Sequence, residues 1–411
     1  MISRETKILN IEYSSVFGAY WMIYAIIGSF AAVFMLAKGY SNSQIGITMA
    51  AANILGVVLQ PLIADFTDRS KRLGIIGVTE IMTVLIMVFT VGMFAFKGGT
   101  VALCVAFVLM LGLHTVLQPL FNSLAFKLEE CGIPTNYGIA RAGGSLAYSI
   151  FIAILGTMVE KMGILVMPVA NEIICAFLVL SLILTKRTFD KNMRMGHPPL
   201  PGTKAAAAEN GETEEEINLI QFIKRNKMFF VLNIGVIGLY FSNQVLNTYM
   251  TQIVTAVDGT TEDLGRILGV MAFLEIPTMV FFKKIKKHFS CQLLLKIASV
   301  GFTVKIAICW LAKSVAMLYV GQLFQIVSFA LFLPGMVYFT GEIMSRGEAI
   351  KGQALFTTMV TLTTIIASLA GGWILDIAGA KMLTFISTIA TAAGAVLVIA
   401  VIDKVKSKKE S

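Results

Sequence analysis

The chain has 411 residues, 57% of them hydrophobic and only 14% charged, with a mean hydropathy of +0.81. Apolar side chains outnumber the positions a water-soluble fold can hide, so lipid has to be the solvent and a soluble globular protein is excluded. The formal net charge of +9 does not point to nucleic acid, because the Lys and Arg gather in alternate loops and not on one face.

Apolar runs of about 20 residues, long enough to cross about 30 Å of hydrocarbon, recur about twelve times. They lie near residues 14–37, 44–66, 73–96, 100–126, 137–158, 163–185, 228–254, 264–282, 291–312, 315–341, 353–375 and 380–402. The first follows Arg4 and Lys7, lacks a small-residue cleavage site and leads directly into a second span, so it reads as a retained helix. Cations cluster after the second span (Arg69, Lys71, Arg72), the sixth (Lys186, Arg187, Lys191, Arg194), the eighth (Lys283, Lys284, Lys286, Lys287) and the last (Lys404, Lys406, Lys408, Lys409). The other loops hold little beyond Lys38, Lys97, Lys161, Arg266, Lys313 and Lys381. The positive-inside rule therefore expects a multi-pass protein of the cell (inner) membrane with both termini cytoplasmic. Cys104, Cys131, Cys175, Cys291 and Cys309 are scattered, with no CxxC pair and no His/Cys cluster, so no disulfide framework, metal site or cofactor is expected.

Residues 186–227 break the membrane pattern with HPPLPG (residues 197–202), AAAAENGETEEE (residues 205–216) and a basic end. They read as a solvated cytoplasmic linker between an N-terminal six-helix bundle (1–185) and a C-terminal one (228–411). The halves repeat each other. Spans 2 and 8 end with Pro61 and Pro277 before a cationic turn, and spans 4 and 10 carry Pro119 and Pro334. Span 5 closes with Gly156, Glu160 and Gly163, span 11 with Gly372, Asp376 and Gly379 at the same spacing. Such repeats predict an all-α fold with a site between the halves near the midplane.

The segment PLIADFTDRSKR (residues 61–72), the twelve-span pattern and the long central loop resemble the major facilitator superfamily. Asp68 and Arg69 match that superfamily's signature, while its glycines are replaced by Ala64 and Lys71. QPLIADFTD (60–68), NYGIARAGGSLAY (136–148), LEIP (274–277), QLFQIVSFALF (322–332), GQALF (352–356) and GGWILDIAG (371–379) are similar to the lactose-permease-like oligosaccharide/proton symporters and their MFS_1-like relatives. The resemblance implies alternating access, with a sugar or oligosaccharide and a proton as cargo and no nucleic-acid partner. A monomer is expected.

Carried over residue by residue, the resemblance implies that Arg141 binds sugar hydroxyls and that Tyr148, seven residues on and on the same helix face, stacks on the sugar ring. The alternative is that Arg141 snorkels to the interface and Tyr148 packs. The family's acidic partner for this Arg falls at Asn122 or Ser123, neither of which forms an ion pair. In span 10 the proton-handling His and Glu are replaced by Gln325 and Ser328, which do not titrate near neutral pH. The span 9 Arg becomes Lys305, the span 7 Asp residues correspond to Asn243 and Asn247, and a Thr-rich stretch, Thr361 to Thr364, replaces the span 11 Lys.

A proton carrier must then be Glu80, Glu172 or Glu275. Glu275 lies about 12 Å of helix from the basic turn after span 8, a depth that disfavours its charged form, with Lys305 on the next helix as its partner. A purely structural Glu275–Lys305 pair is the alternative. Asn53, Asn122, Asn243, Gln244, Asn247, Gln322 and Gln325 offer neutral hydrogen bonds to a solute or glue between helices, and Tyr20, Trp21 and Tyr24 line span 1. His114 reads as a satisfied interior histidine, and Asp68 with Arg69 as a cytoplasmic gating contact.

Rival readings are a nucleoside symporter, an efflux antiporter and a non-transporting receptor. Span 5 has Gly143 and Gly144 but no Gly-Pro pair, which counts against efflux. The absence of a phosphate loop, a metal-spaced cluster and a nucleophile–base pair counts against an enzyme.

Overall fold

A computed structural model describes residues 4–70, 73–130, 135, 137–193 and 219–405. Lys71, Arg72, Cys131, Asn136, residues 194–218 of the expected linker and Lys406, Lys408 and Lys409 lie outside the described residues.

Every regular element among the described residues is helical. In chain order these are α1 (Arg4–Tyr24), a π-helical turn (Ala25–Ser29), α2 (Ala31–Ala37), α3 (Asn42–Arg69), α4 (Gly74–Ala95), α5 (Val101–Glu130), α6 (Tyr137–Met162) and α7 (Val166–Met193). There follow α8 (Leu219–Arg225), α9 (Lys227–Thr255), α10 (Thr261–His288), α11 (Cys291–Leu311), α12 (Val315–Leu323), α13 (Phe329–Ile343) and α14 (Arg346–Ile402). Ten helices among the described residues are long and apolar enough to cross a membrane. One of these, α14, contains two arms joined at Gly379, whose φ of 75° and ψ of 178° suit glycine. With α12 and α13 taken as one broken crossing, the set is consistent with twelve.

The chain divides into two compact units, the first of residues 1–40 and 51–213, the second of residues 41–50 and 214–411. In the first, α1 packs on α6 and α7, and α4 on α5 and α7, around Tyr13, Phe17, Phe34, Phe107 and Phe121. Polar bonds join these helices where lipid offers none: Tyr13 donates to the Phe121 carbonyl at 2.8 Å, and Asn171 Nδ2 to Thr90 Oγ1 at 2.7 Å. In the second, α9 packs on α14, and α11 on α13 and α14, around Phe229, Tyr240, Phe282, Phe302 and Phe332. Outward side chains such as Val88, Ile173, Trp373 and Val396 are apolar and exposed, as a lipid-facing surface requires.

Local chemistry fixes the helix ends. Thr260 Oγ1 accepts from Asp263 N–H at 3.1 Å and the Asp263 carboxylate accepts from Thr260 N–H at 2.9 Å, a reciprocal cap that starts α10. Within the second unit the Asp376 carboxylate accepts from the backbone N–H of Asn42 at 3.0 Å and of Ser43 at 2.8 Å, placing a negative charge on the N-terminus of α3.

Candidate functional site

In the first unit, α1, α5 and α6 bring together an aromatic cage. Arg141, Gly144 and Tyr148 recur at helical spacing on α6, so one face carries a cation, a gap and a ring. The Arg141 guanidinium lies 4.8 Å from the centroid of the Trp21 ring. Gly144 makes this approach possible, because a Cβ there would stand 2.6 Å from Trp21 Cδ1 and 3.2 Å from the Phe17 carbonyl oxygen. Trp21 meets Tyr20, Tyr24 and Tyr148 edge-on, with centroids at 5.3, 5.7 and 6.2 Å.

His114 on α5 stacks on Tyr20 with centroids 4.1 Å apart, and its Nε2 is 3.0 Å from the Tyr20 carbonyl oxygen. A carbonyl only accepts, so that nitrogen carries a proton. Tyr148 shares a 2.7 Å hydrogen bond with Ser29, at the end of the π-helical turn that follows Tyr24. Two donors in the cage are shut off from solvent without a partner, Arg141 Nη1 and Trp21 Nε1. Buried donors are normally satisfied, so two on one platform mark a place where acceptors belong.

In the second unit, α10, α11 and the break between α12 and α13 assemble a polar relay. Buried Lys305 donates from Nζ to Gln325 Oε1 and approaches Met271 Sδ at 3.7 Å; Gln325 Nε2 in turn donates to Glu275 Oε1 at 2.6 Å. The carboxylate and the ammonium are thus joined through one amide, not by direct contact. Gln325 sits where residues 324–328 unwind, with Ser328 at φ −105° and ψ −104°. Irregular backbone at membrane depth is tolerated where protein buries it or a cavity needs it. α11 comes close to this break at Gly301, whose Cβ would stand 2.7 Å from the Val327 carbonyl oxygen. Buried Tyr240 Oη, Asn243 Oδ1, Gln322 Oε1 and Ser328 Oγ have no hydrogen-bond partner among the described residues.

The remaining expected residues take varied positions. Asn122 Oδ1 accepts from Tyr137 Oη at 3.2 Å at the edge of the first unit. Asn247 Nδ2 donates to Gln244 Oε1 at 3.5 Å, and Gln244 Nε2 donates to Thr364 Oγ1 of the Thr-rich stretch. Arg69 pairs with Asp65 one turn back, at 2.8 Å, and Asp68 beside it is exposed. Glu80 and Glu172 each lie in the second turn of a helix, α4 and α7, with one buried oxygen lacking a partner. Sequence reasoning missed three features: Trp21 as the support of Arg141, Ser29 as the partner of Tyr148, and Gln325 as a bridge between Lys305 and Glu275. The first left a signal, in the i, i+1, i+4 run of Tyr20, Trp21 and Tyr24 and a span that carries Arg141 and Gly144.

The model of the MFS_1-like family matches residues 13–386. No curated protein sequence matches the chain. Among solved structures, the nucleoside transporter NupG is 14% identical with a TM-score of 0.73, covering 99% of this chain and 100% of its own. A point mutant of NupG is 13% identical with a TM-score of 0.75, over 96% and 99%. An inward-facing, unoccupied bacterial homolog of the human lysosomal transporter Spinster is 13% identical with a TM-score of 0.66, over 100% of both chains. These likenesses establish the fold.

Proposed function

The chain belongs to the MFS_1-like family and is a transporter, not an enzyme, and from that premise we propose that it is a proton-coupled symporter of a sugar or oligosaccharide. In this reading residues 1–185 and 228–411 are the two six-helix halves of an alternating-access cycle, and residues 186–227 are a cytoplasmic linker. Both termini face the cytoplasm of the cell membrane.

The observation that carries the reading is the guanidinium of Arg141 laid on Trp21 with one donor of each side chain buried and unpartnered. An aromatic platform bearing fixed donors suits a hydroxyl-rich ring, because the rings take its apolar face and the N–H groups take its oxygens. Tyr20, Tyr24 and Tyr148 complete the wall. Proton coupling is assigned to the relay. Glu275 bonded to Gln325 Nε2 is an acceptor of that amide while ionised; protonation turns one oxygen into a donor and cancels the charge that Lys305 balances. Charge balance in the relay therefore differs between the two protonation states, which is what a coupled conformational equilibrium needs.

A nucleoside is the second reading. The density of rings around Trp21 favours a base that stacks, and the fold likeness to the nucleoside transporter NupG is in keeping with it. External pH in a weakly buffered, de-energised cell suspension decides between the cargoes. Each of a panel of mono-, di- and trisaccharides, neutral and acidic, and of nucleosides is added to cells with and without the protein. A transient alkalinisation requiring both protein and a saccharide is expected. Alkalinisation with nucleosides alone would replace the sugar, and silence throughout would remove proton symport of either.

A further inference from the structure

We propose that the solute held at Arg141 carries a carboxylate, so that the cargo is an acidic sugar of the uronate type and not a neutral one. The inference rests on the reading of the cage as the solute site. Its basis is charge. A guanidinium stays protonated at any pH a protein meets, and a cation at membrane depth needs a counter-charge or a wet cavity. Arg141 has the Trp21 face, which supplies only a quadrupole, and no carboxylate partner among the described residues.

Among the described residues no ion pair reaches Arg141, and acids of the first unit are engaged elsewhere or lie apart from it. Asp65 pairs with Arg69, Glu12 accepts from Thr188, and Glu129 accepts from Thr135. Glu80 and Glu172 form no ion pair with Arg141 among the described residues, and each keeps a buried Oε1 with no hydrogen bond. Glu160 stands nineteen positions along the same helix, about 28 Å away. Asn122, which takes the place of an acid on α5, already accepts from Tyr137. The other polar groups of the cage are the hydroxyls of Tyr20, Tyr24, Tyr148 and Ser29 and the imidazole of His114, whose Nε2 is spent on the Tyr20 carbonyl.

A neutral sugar would satisfy donors but leave one positive charge uncompensated. A carboxylate does both, since its two oxygens match the guanidinium fork, and Trp21 Nε1 offers a further donor nearby. The second charge of a phosphate ester would find no Lys or second Arg in the cage among the described residues, and His114 is turned to the Tyr20 carbonyl. A consequence follows for energetics: one monoanion moving with one proton carries no net charge across the membrane, so transport would respond to a pH gradient and not to membrane potential.

The test is thermal unfolding of the purified full-length protein with D-glucuronate, D-galacturonate, the methyl ester of D-glucuronate, D-glucose and D-galactose. A rise in Tm with the uronates but not with the ester or the hexoses is expected. Arg141→Gln should abolish that rise, and Arg141→Lys should keep the preference for acid at about 10-fold weaker affinity, because an ammonium retains the charge and loses the fork. The ester comparison uses the unmodified protein and so does not depend on how either variant folds. Equal stabilisation by ester and acid, an acid preference that survives Arg141→Gln, or no shift with any of the five would overturn the proposal. Proton movement is not read here, so an acid-selective shift without alkalinisation would remove symport and leave this inference. Alkalinisation with neutral sugars and no acid preference would do the reverse.

Discussion

In the first unit Arg141 rests on the face of Trp21, each with one buried, unpartnered donor, and among the described residues no opposite charge pairs with it. In the second, Glu275 and Lys305 are of opposite sign and are tied through the amide of Gln325. One arrangement is incomplete and asks for a ligand. The other has its opposite charges joined, with unpartnered neutral groups such as Gln322 Oε1 and Ser328 Oγ around it, and what is left to change in the charges is where a proton sits. The contrast teaches that buried charge alone does not define a binding site; the absence of an internal partner does.

The sharpest way to break the contrast is to unbalance the relay. Lys305→Met strands the Glu275 carboxylate and one oxygen of Gln325, and should lower stability by about 3 kcal/mol, the scale on which losing one member of a buried charged set is felt. Adding Glu275→Gln in the same chain should recover most of that loss, as measured by unfolding in detergent. A double variant no more stable than the single one would mean that the two charges do not balance each other.

Next in size is Gly144→Ala. Its Cβ would stand 2.6 Å from Trp21 Cδ1, so the indole must move, at a cost of about 2 kcal/mol and with weakened solute affinity. An affinity unchanged in that variant would show that Trp21 need not hold its place. Smallest is Ser29→Ala, which removes the hydrogen bond to Tyr148 and should cost about 1 kcal/mol of stability while transport persists. Loss of transport without loss of stability would make the π-helical turn a moving part.

The helices were legible because lipid imposes one rule, that apolar runs of membrane length become helices, and the expected spans agree with the observed ones to within a few residues at most ends. The departures come from backbone features that apolar periodicity does not mark. The span read as 315–341 is broken at residues 324–328, where no Gly or Pro stands in the sequence to mark it, and the break places Gln325 between Lys305 and Glu275. The π-helical turn Ala25–Ser29 does carry a signal, the Gly28–Ser29 pair, which favours a distorted helix and which apolar spacing does not register; the turn sets Ser29 against Tyr148. Arg141, Tyr148, Glu275 and Lys305 stood out because charge and hydrogen-bonding groups are costly in lipid. Partnerships such as Trp21 with Arg141 depend on inter-helix distances that spacing along one helix does not contain.

The division of labour between the two regions is tested most directly by solute movement into proteoliposomes containing the Glu275→Gln protein. Two conditions are compared, with a pH gradient, acid outside, and with none but a preloaded solute for exchange. Uphill accumulation should fall about 100-fold, the scale on which removal of a proton-handling group is felt, while exchange continues because the cage is untouched. Full uphill accumulation by that variant would contradict the assignment of coupling to Glu275.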